Sequence, residues 1–577
     1  MVCGKQDVIP GFFPLSELTP GIMLNNKYYV CVFLVLSRSV FASPLPGSGS
    51  QMLQIPPEPI LQKSTPKIEI EQGQAMDVPG LQNLRIIVNN LKLVNAHAYS
   101  EQELYSISGF KPGSELTLAD LRGIATQIER YYHRNGYFVA QVYLPAQDIK
   151  DGVVILIVSE GRYGNITLRN KAGLSGGLAD SLLEGLTKGD TIASAPLENR
   201  LLLISDLPGV QARSVLLPGA SVGASDLIVD VIEGQRITGS LDADNAGNRY
   251  TGANRLGVTA NLNEPLGRGD VATLRILTSG GGLSFGRIAY QMQYGKVKAG
   301  VAYSSLGYSL GQEFELLGAG GTATITSLFA AYPLIRLREN NMYAQLAGDS
   351  KSFHDTVESS LTVTDKRVHV LMASLVGDRH DRMAGDGFTR YSFTWSAGKL
   401  DIQTPLLQTS DAATSKTNGN FRKFGTGITR MQNVTELTSL YAAFNGQYAY
   451  GNLDVSEKME LGGMYAVRAY PEGEAYADQG YVLNLEGRVQ LPQLSGQTSG
   501  QMQLVGFVDT GTVTENKNPW ATGQNRRTLS GTGLGLNWTG ENNFVVKAYY
   551  AHKLGDAVAT SAPDSSGQFR IQAVKFF

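Results

Sequence analysis

Residues 236–577 consist of segments of about ten residues in which apolar and polar side chains alternate, separated by turns rich in Gly, Asn and Asp. The segment 481–491 shows the pattern clearly, with Leu485 on one face and Glu486 and Arg488 on the other. An Arg that faces lipid near the membrane midplane costs roughly 2–4 kcal/mol, so the polar face must line a lumen. We count about 16 such segments, which predicts a transmembrane antiparallel β-barrel of about 16 strands.

The last segment carries aromatic and aliphatic side chains on one face. Phe569, Ile571 and the terminal Phe577 share that face, which is typical of a strand that borders lipid in a membrane barrel. We interpret these residues as a membrane insertion signal. A soluble β-sandwich would show a similar alternation, but an aromatic last strand in a chain with an export signal favours the barrel.

Residues 1–42 have the features of a signal peptide. Lys27 precedes the apolar run 28–36, and small residues near Ala42 offer a cleavage site. So long a stretch before the apolar run is unusual for a signal peptide, which makes Met23 a candidate for the true start. We therefore expect an exported protein.

Composition excludes several classes of function. The formal net charge is −2, so no basic surface indicates a nucleic-acid partner. Both cysteines, Cys3 and Cys31, lie in or before the predicted signal peptide. The mature protein should therefore have neither a disulfide framework nor a cysteine-ligated metal site. We expect no cofactor and no metal ion.

Sequence motifs do not predict an enzyme. The esterase-like pattern G-x-S-x-G is nonspecific in so Gly-rich a chain, and none of its occurrences clearly joins a buried strand to a helix. The sequence contains neither the nucleotide-binding pattern G-x-x-x-x-G-K-[ST] nor the metal-binding pattern H-E-x-x-H. Arg526, Arg527 and Lys547 are expected to be ordinary charges of a barrel rim or lumen.

Between the signal peptide and the barrel, the sequence predicts three regions. Residues 43–80 are polar and Pro-rich and are interpreted as an extended periplasmic linker with at most a short helix near Gln51. Residues 81–160 and 161–235 each have the strand and helix order β-α-α-β-β. In the first unit, Ser100 opens a helix. We expect the third strand of each unit to leave a sheet edge available to another chain.

Six short motifs lie at 143–149, 158–161, 201–210, 244–249, 267–270 and 467–480. They resemble those of one known family, the two-partner secretion transporters (the TpsB branch of the BamA-like superfamily, of the haemolysin activation/secretion type). The two small units are similar to the two POTRA domains of that family, and the likeness covers nearly the whole mature chain. The Pro-rich linker shows no clear counterpart of the long N-terminal plug helix of some relatives.

In that family, a loop folds back into the barrel, and the resemblance assigns this role to a loop at about 450–480. It implies that Arg468 pairs with the inward-facing Asp509 and that Phe507 packs beside the pair. Ala469 stands where a Gly is commoner. The predicted loop clamp in the pore comprises Arg468, Asp509, Phe507, Val467, Ala469 and Tyr470.

The resemblance implies an outer-membrane protein with its POTRA domains in the periplasm. These domains would bind a large exoprotein of the TpsA type, which would then cross the barrel unfolded and without ATP. Other expected partners are the barrel assembly machinery, for insertion, and outer-membrane lipid. Two alternatives remain open at this point: an outer-membrane insertase, which usually carries more POTRA domains, and a passive porin, which needs none.

Overall fold

The computed structural model of the chain describes residues 45–59, 68–70, 85–492 and 500–577. The predicted signal peptide, residues 1–42, lies outside this part. Among the helices of the described residues, none is both long and apolar enough to cross a membrane. Two small α+β units precede a large barrel along the chain.

Two strand–helix units and the segment before them make up the described chain up to residue 233. In chain order their elements are α1 (Ser48–Leu53), β1 (Ile68–Ile70), β2 (Arg85–Val88), β3 (Asn90–Val94), α2 (Glu101–Ser108), β4 (Ser114–Thr117), α3 (Leu118–Arg134), β5 (Gln141–Tyr143), β6 (Val153–Ser159), β7 (Arg162–Asn170), α4 (Gly176–Leu183), α5 (Ser194–Ser205), β8 (Val210–Pro218) and β9 (Ala224–Glu233).

The helices of the first unit begin at side-chain caps. Ser100 accepts a hydrogen bond from the N–H of Glu103 at the start of α2, as the sequence predicts. A capping box between Thr117 and Asp120 starts α3. The apolar stripe of α3, which includes Leu121, is buried in the core of this unit.

The sheets of the two units have the third predicted strand in the middle, so the prediction of a free edge on that strand is wrong. β6 lies between β3, which is parallel to it, and β5, which is antiparallel. In the second unit β9 lies between the parallel β7 and the antiparallel β8. The reason is that a helical crossover brings the first strand of each unit alongside the last one.

The predicted linker contains two ordered elements: α1, at the position of the short helix that the sequence allows near Gln51, and β1. These positions therefore do not form an extended linker. β1 adds in parallel to the outer edge of β8, with Ile68 opposite Ser214 and Ile70 opposite Leu216. An edge strand exposes unpaired backbone groups, and β1 satisfies those of β8. The other element, α1, lies in the barrel lumen.

Sixteen antiparallel strands form a closed barrel, which confirms the predicted fold class. Neighbours in the sequence are neighbours in the barrel, and β27 closes it against β10. The pair β21–β22 lies apart, in the long loop between β20 and β23. The elements from residue 237 onward are β10 (Ile237–Asp244), β11 (Arg255–Asn263), β12 (Val271–Thr278), β13 (Leu283–Tyr294), β14 (Val297–Ser309), β15 (Ala319–Arg336), β16 (Asn340–Val357), β17 (Thr362–Asp381), β18 (Gly387–Ile402), α6 (Pro405–Ala413), β19 (Gly419–Asn433), β20 (Thr438–Ala449), β21 (Met459–Glu460), β22 (Tyr476–Ala477), β23 (Gln479–Gln490), β24 (Gly500–Thr514), β25 (Arg526–Gly540), β26 (Phe544–Lys553) and β27 (Gly567–Phe576).

The second α+β unit contacts one end of the barrel. Arg336, at the end of β15, donates from Nε and Nη2 to the two carboxylate oxygens of Asp206, each at 2.7 Å. Asn199 of α5 donates to the Arg336 carbonyl at 3.0 Å. We call this the domain end of the barrel. The loop between β20 and β23 enters the barrel from the opposite end, which we call the far end.

Candidate functional site

The loop between β20 and β23, residues 450–478, is folded into the barrel lumen. Val467, Ala469 and Tyr470 are fully buried, in one apolar cluster with wall residues of the barrel. Inside the loop, the N–H of Val467 donates to the Leu461 carbonyl at 3.1 Å. The loop therefore has its own hydrogen-bonded structure and an apolar contact with the wall.

Arg468 lies at the tip of this loop, and Asp509 projects inward from β24. Arg468 Nε donates to Asp509 Oδ2 and Nη2 donates to Oδ1, each at 2.8 Å. The backbone N–H of Arg468 adds a third hydrogen bond to Oδ2 at 3.1 Å. The side chains are 6% and 0% exposed. A planar guanidinium on a carboxylate in this bidentate geometry is a strong and directional contact.

Glu486 of β23 supplies a second carboxylate, which sequence reasoning did not single out. Its Oε1 accepts a hydrogen bond from Arg468 Nη1 at 2.8 Å, and its Oε2 accepts one from Arg488 Nε at 2.8 Å. Arg488 in turn lies over the ring of Tyr441, 4.3 Å from its centroid. The loop arginine is thus held between carboxylates from two neighbouring strands.

Asn484, also on β23, joins the loop to this cluster. Its Nδ2 donates to Asp509 Oδ1 and to the Ala466 carbonyl, each at 2.8 Å. Asn484 and Glu486 belong to the face of segment 481–491 that the sequence predicts to line the lumen. The alternation of polar residues was therefore the available signal, but it does not indicate which loop cation these residues meet.

Aromatic rings cover the arginine. The guanidinium carbon of Arg468 lies 3.6 Å from the centroid of the Phe507 ring and 5.1 Å from that of Tyr549. The two rings meet edge to face, with centroids 5.9 Å apart. Such rings stabilise a cation and exclude water from its hydrogen bonds. The resemblance implied Phe507 at this position, whereas Tyr549 of β26 was missed.

The residues beside the arginine lie close against β25 and β27. A Cβ placed on Gly531 would lie only 2.6 Å from the Cβ of Ala469, so this close approach requires a Gly in the wall. The Tyr470 hydroxyl donates to the Ala557 carbonyl at 3.0 Å. Arg570 donates from Nη2 to the Tyr470 carbonyl at 2.6 Å. All six residues of the predicted clamp therefore lie at this one site.

Ion pairs also hold the base of the loop, but there the signs of the loop and wall charges are reversed relative to the tip. Asp454 pairs with Lys366 of β17 at 2.7 Å. Glu457 pairs with Lys351 of β16 at 2.7 Å and with Lys423 of β19 at 2.8 Å. Here the loop supplies the carboxylates and the wall supplies the cations. Sequence reasoning missed all of these residues, because inward lysines of separate strands share no motif.

Arg527 is also part of the loop attachment, so its interpretation as an ordinary rim or lumen charge is wrong. It forms an ion pair with Glu474, whose side chain is fully buried, and donates from Nη1 to the Glu474 carbonyl at 2.9 Å. Ser561 also donates to the Glu474 carboxylate, at 2.7 Å. Arg526 and Lys547 are exposed.

The helix α1 lies against the barrel wall near the far end and against the base of the loop. The N–H of Ser48 donates to Asp355 Oδ1 at 2.7 Å, and Thr251 donates to the Gln51 side chain at 3.0 Å. A Cβ on Gly49 would lie 3.0 Å from the Cβ of Ser456, in the loop. The small residues of α1 therefore permit a close contact between helix and loop.

The predicted insertion signal faces outward. Phe569, Ile571 and Phe577 are 54%, 38% and 48% exposed. A Cβ on Gly239 of β10 would lie 2.6 Å from the ring of Phe577. The terminal aromatic residue thus covers a glycine at the seam between the first and last strands.

Glu160, in one of the motifs that carry the family resemblance, is buried in the first α+β unit. Its Oε1 accepts hydrogen bonds from the N–H groups of His97 and Ala98, each at 2.6 Å, and from the Tyr132 hydroxyl at 3.0 Å. Burial, followed by the charge of Glu160, raises the pKa of Tyr132. The hydrogen bonds of Glu160 therefore link the chain before α2 to α3.

Comparisons with known proteins agree with this architecture. Residues 223–538 match the family model described as haemolysin secretion/activation protein ShlB/FhaC/HecB. Residues 86–161 match the POTRA domain of the ShlB type. The heme/hemopexin transporter protein HuxB of Haemophilus influenzae (strain 86-028NP) is 27% identical over 564 residues, which is 95% of this chain and 98% of that protein. The outer membrane transporter CdiB of Dickeya dadantii (strain 3937) is 22% identical, and the alignment covers 69% of this chain and 71% of CdiB.

A solved structure also has the same fold. CdiB from Escherichia coli superposes with a TM-score of 0.66 at 18% sequence identity, covering 87% of this chain and 93% of the other. At this identity the match establishes the arrangement of the POTRA region and the sixteen-stranded barrel.

Proposed function

The chain belongs to the haemolysin secretion/activation protein family, ShlB/FhaC/HecB, and we propose on that basis how its loop, its N-terminal helix and its periplasmic units take part in transport. It is an outer-membrane transporter of two-partner secretion, which exports a cognate exoprotein through its β-barrel. Its POTRA domain lies on the periplasmic side. The domain end of the barrel therefore faces the periplasm, and the far end faces the outside.

The observation that carries the proposal is the position of the loop tip. Arg468 is fixed in the lumen by Asp509 and Glu486 at 2.8 Å. A chain cannot pass the lumen while the loop and α1 fill it. Transport therefore requires the loop to rearrange, and the arginine cluster defines its resting position. The six clamp residues named from the sequence act as one unit in this step.

Capture of the client begins at the first unit. In the second unit the outer edge of β8 already holds β1, whereas β5 of the first unit pairs on one side only among the described residues. Tyr143 of β5 and the nearby Ile149 are 40% and 38% exposed. An extended client segment would pair with the β5 backbone and place apolar side chains on these residues. The Glu129 carboxylate now accepts the N–H of Val142 at 3.1 Å. It would release this N–H so that the client backbone could accept it.

A matched pair of variants tests this capture site. Tyr143→Ser is expected to weaken binding of the client's N-terminal segment about tenfold, because the apolar contact beside the strand is lost. Val222→Ser is the control, since it removes an apolar side chain that is 93% exposed and belongs to the second unit. Equal binding by both variants in a pull-down would place capture elsewhere.

The remaining regions have the following roles in the proposal. Residues 161–235 form a second POTRA domain, and residues 1–42 direct export. The barrel assembly machinery recognises the last strand through Phe569, Ile571 and Phe577. The protein performs no catalytic step, and its sequence carries no nucleotide-binding loop. Transport in this proposal draws on another source of free energy, and the family membership suggests folding of the client outside the cell.

The experiment that tests the function compares cells with and without this gene, grown where the client is transcribed. The proposal expects selective loss of one very large protein from the medium, while other outer-membrane barrels keep their levels. General depletion of barrels would show an insertase instead. An unchanged medium would contradict secretion.

A further inference from the structure

We propose that the outer wall of the barrel carries a binding site for a phosphorylated glycolipid of the outer leaflet, formed by His369, Lys399 and Arg422 on three neighbouring strands. The inference rests on the outer-membrane location and is independent of the loop and the client. The site faces lipid, outside the lumen.

The strands β15 to β19 form a groove on the outer wall, with a volume of about 690 Å³. Gly348 forms part of its floor, and a Cβ placed there would meet nothing within 4 Å. In the strand register Gly348 lies between Leu328 of β15 and Leu371 of β17. These leucines are 65% and 58% exposed. The floor and walls at this level are therefore apolar and fit an acyl chain.

Basic side chains line the same groove toward the far end. Lys399 of β18 is opposite His369 of β17, and Arg422 of β19 is opposite Ala397, the outward residue two positions from Lys399. Opposite and diagonal neighbours on one face of a sheet are within about 8 Å of each other. All three basic side chains are exposed. No side-chain hydrogen bond or ion pair joins Lys399 or Arg422 to another residue of the described chain.

The order of outward residues along the strands places these cations at headgroup level. On β18 the outward residues run from Trp395 through Ala397 to Lys399 toward the far end. On β19 the outward Phe424 lies two residues closer to the membrane centre than Arg422. Trp395 and Phe424 are 43% and 37% exposed. Exposed aromatic residues mark the boundary between hydrocarbon and headgroups. The cations lie just outside that boundary, where the phosphates of outer-leaflet lipids lie.

Other outward charges lie still nearer the far rim. His354 pairs with Asp365 at 2.7 Å, and Arg367 is opposite Asp401 in the strand register. In each of these pairs a basic side chain faces a carboxylate of the neighbouring strand, whereas Lys399 and Arg422 face no carboxylate in the strand register. On the opposite side of the barrel, the outward positions near the same end are apolar or uncharged, such as Leu256 and Thr278. Charge and apolar groove coincide in one sector, which fits a lipid that bears both phosphate and acyl chains.

The test uses the full chain purified from the outer membrane and purified lipopolysaccharide as the probe. The double variant Lys399→Gln/Arg422→Gln is expected to bind the probe about thirtyfold more weakly than wild type, since each surface cation near a headgroup contributes about a fivefold step. The control variant, Arg526→Gln/His552→Gln, removes two exposed outward basic side chains of β25 and β26 and is expected to bind as wild type does. All of these positions face outward, so the barrel should still fold, and heat-modifiable gel mobility checks this.

Native mass spectrometry reads the bound lipid directly. The proposal expects loss of the glycolipid adduct from the double variant, and from wild type when the probe has been dephosphorylated. Three results would each overturn the proposal. The double variant would bind as well as wild type, the control variant would lose as much binding as the double variant, or the dephosphorylated probe would bind undiminished. A second copy of the chain in place of the lipid would also overturn it and would appear as a dimer.

Discussion

The tip and the base of the loop in the lumen are both held by buried charges, but with opposite arrangements. At the tip, the loop supplies one cation, Arg468, and the wall supplies the carboxylates of Asp509 and Glu486. At the base, the loop supplies Asp454 and Glu457, and the wall supplies lysines. The wall therefore supplies carboxylates from β23 and β24 to the tip and lysines from β16, β17 and β19 to the base.

The two attachments also differ in geometry, and this difference indicates which one sets the loop position. Arg468 makes a bidentate contact and also donates its backbone N–H to Asp509. The base relies on lysines, each of which is a point charge on a flexible stem. Glu457 has two of them, Lys351 and Lys423, so the loss of one is partly compensated. We expect the tip to determine position and the base to add strength.

The largest effect is expected when the tip attachment is removed. Arg468→Ala leaves Asp509 and Glu486 buried without their shared cation, which costs about 3–5 kcal/mol for a fully buried pair. Secretion of the client should fall to less than about a tenth of wild type. The measurement is client protein in the medium, with barrel level in the outer membrane as the control. Wild-type secretion at a normal barrel level would remove the tip from the mechanism.

A steric change at the tip should have the next largest effect. Gly531→Ala brings a Cβ to about the 2.6 Å separation from Ala469 and should destabilise the resting loop by about 1–3 kcal/mol. The second substitution Ala469→Gly removes the clash, so the double variant should regain secretion. If the double variant secretes no better than Gly531→Ala alone, the two residues do not meet.

The base should tolerate the loss of one lysine. Lys423→Gln leaves Glu457 with Lys351 at 2.7 Å, and a lost hydrogen bond to a charged group costs about 1.5–3 kcal/mol. We expect secretion to persist while the resting pore leaks more ions in planar-bilayer recordings. A secretion defect as large as that of Arg468→Ala would show that the base is as important for secretion as the tip.

An exposed ion pair in a far-end loop should matter least. Arg249 and Glu313 pair at 2.7 Å, but their side chains are 38% and 54% exposed. Solvent screening leaves such a pair with little contribution to stability. Arg249→Gln should therefore leave both secretion and leak unchanged, and it serves as the charge-removal control for the lumen variants. A clear defect would show that the far-end loops contribute to gating.

The alternation of side chains predicted the barrel and its strand number, because each strand has one lipid face and one lumen face. It also predicted that Glu486 lines the lumen. The contact between Glu486 and Arg468 depends on where a loop of about thirty residues comes to rest, and strand patterning carries no information on that position. The pairing of Arg468 with Asp509 was expected from family resemblance alone.

The prediction of an extended linker at residues 43–80 was wrong for a different reason. Its Pro-rich composition indicates an extended chain, yet α1 is buried in the lumen and β1 pairs with β8. Neither element has strong local propensity. The Asp355 carboxylate that binds Ser48 and the open edge of β8 create the contacts, and both belong to distant parts of the chain.

The central claim is that Arg468 and Asp509 act as a single unit, and a double-mutant cycle tests it most directly. Arg468→Ala, Asp509→Ala and the double variant would be compared by the midpoint temperature of the heat-modifiable shift of the purified barrel and by secretion. Coupled residues give a double variant no worse than the worse single variant, and this is the predicted result. Losses that add in both measurements would mean that the two residues act separately and would contradict the account.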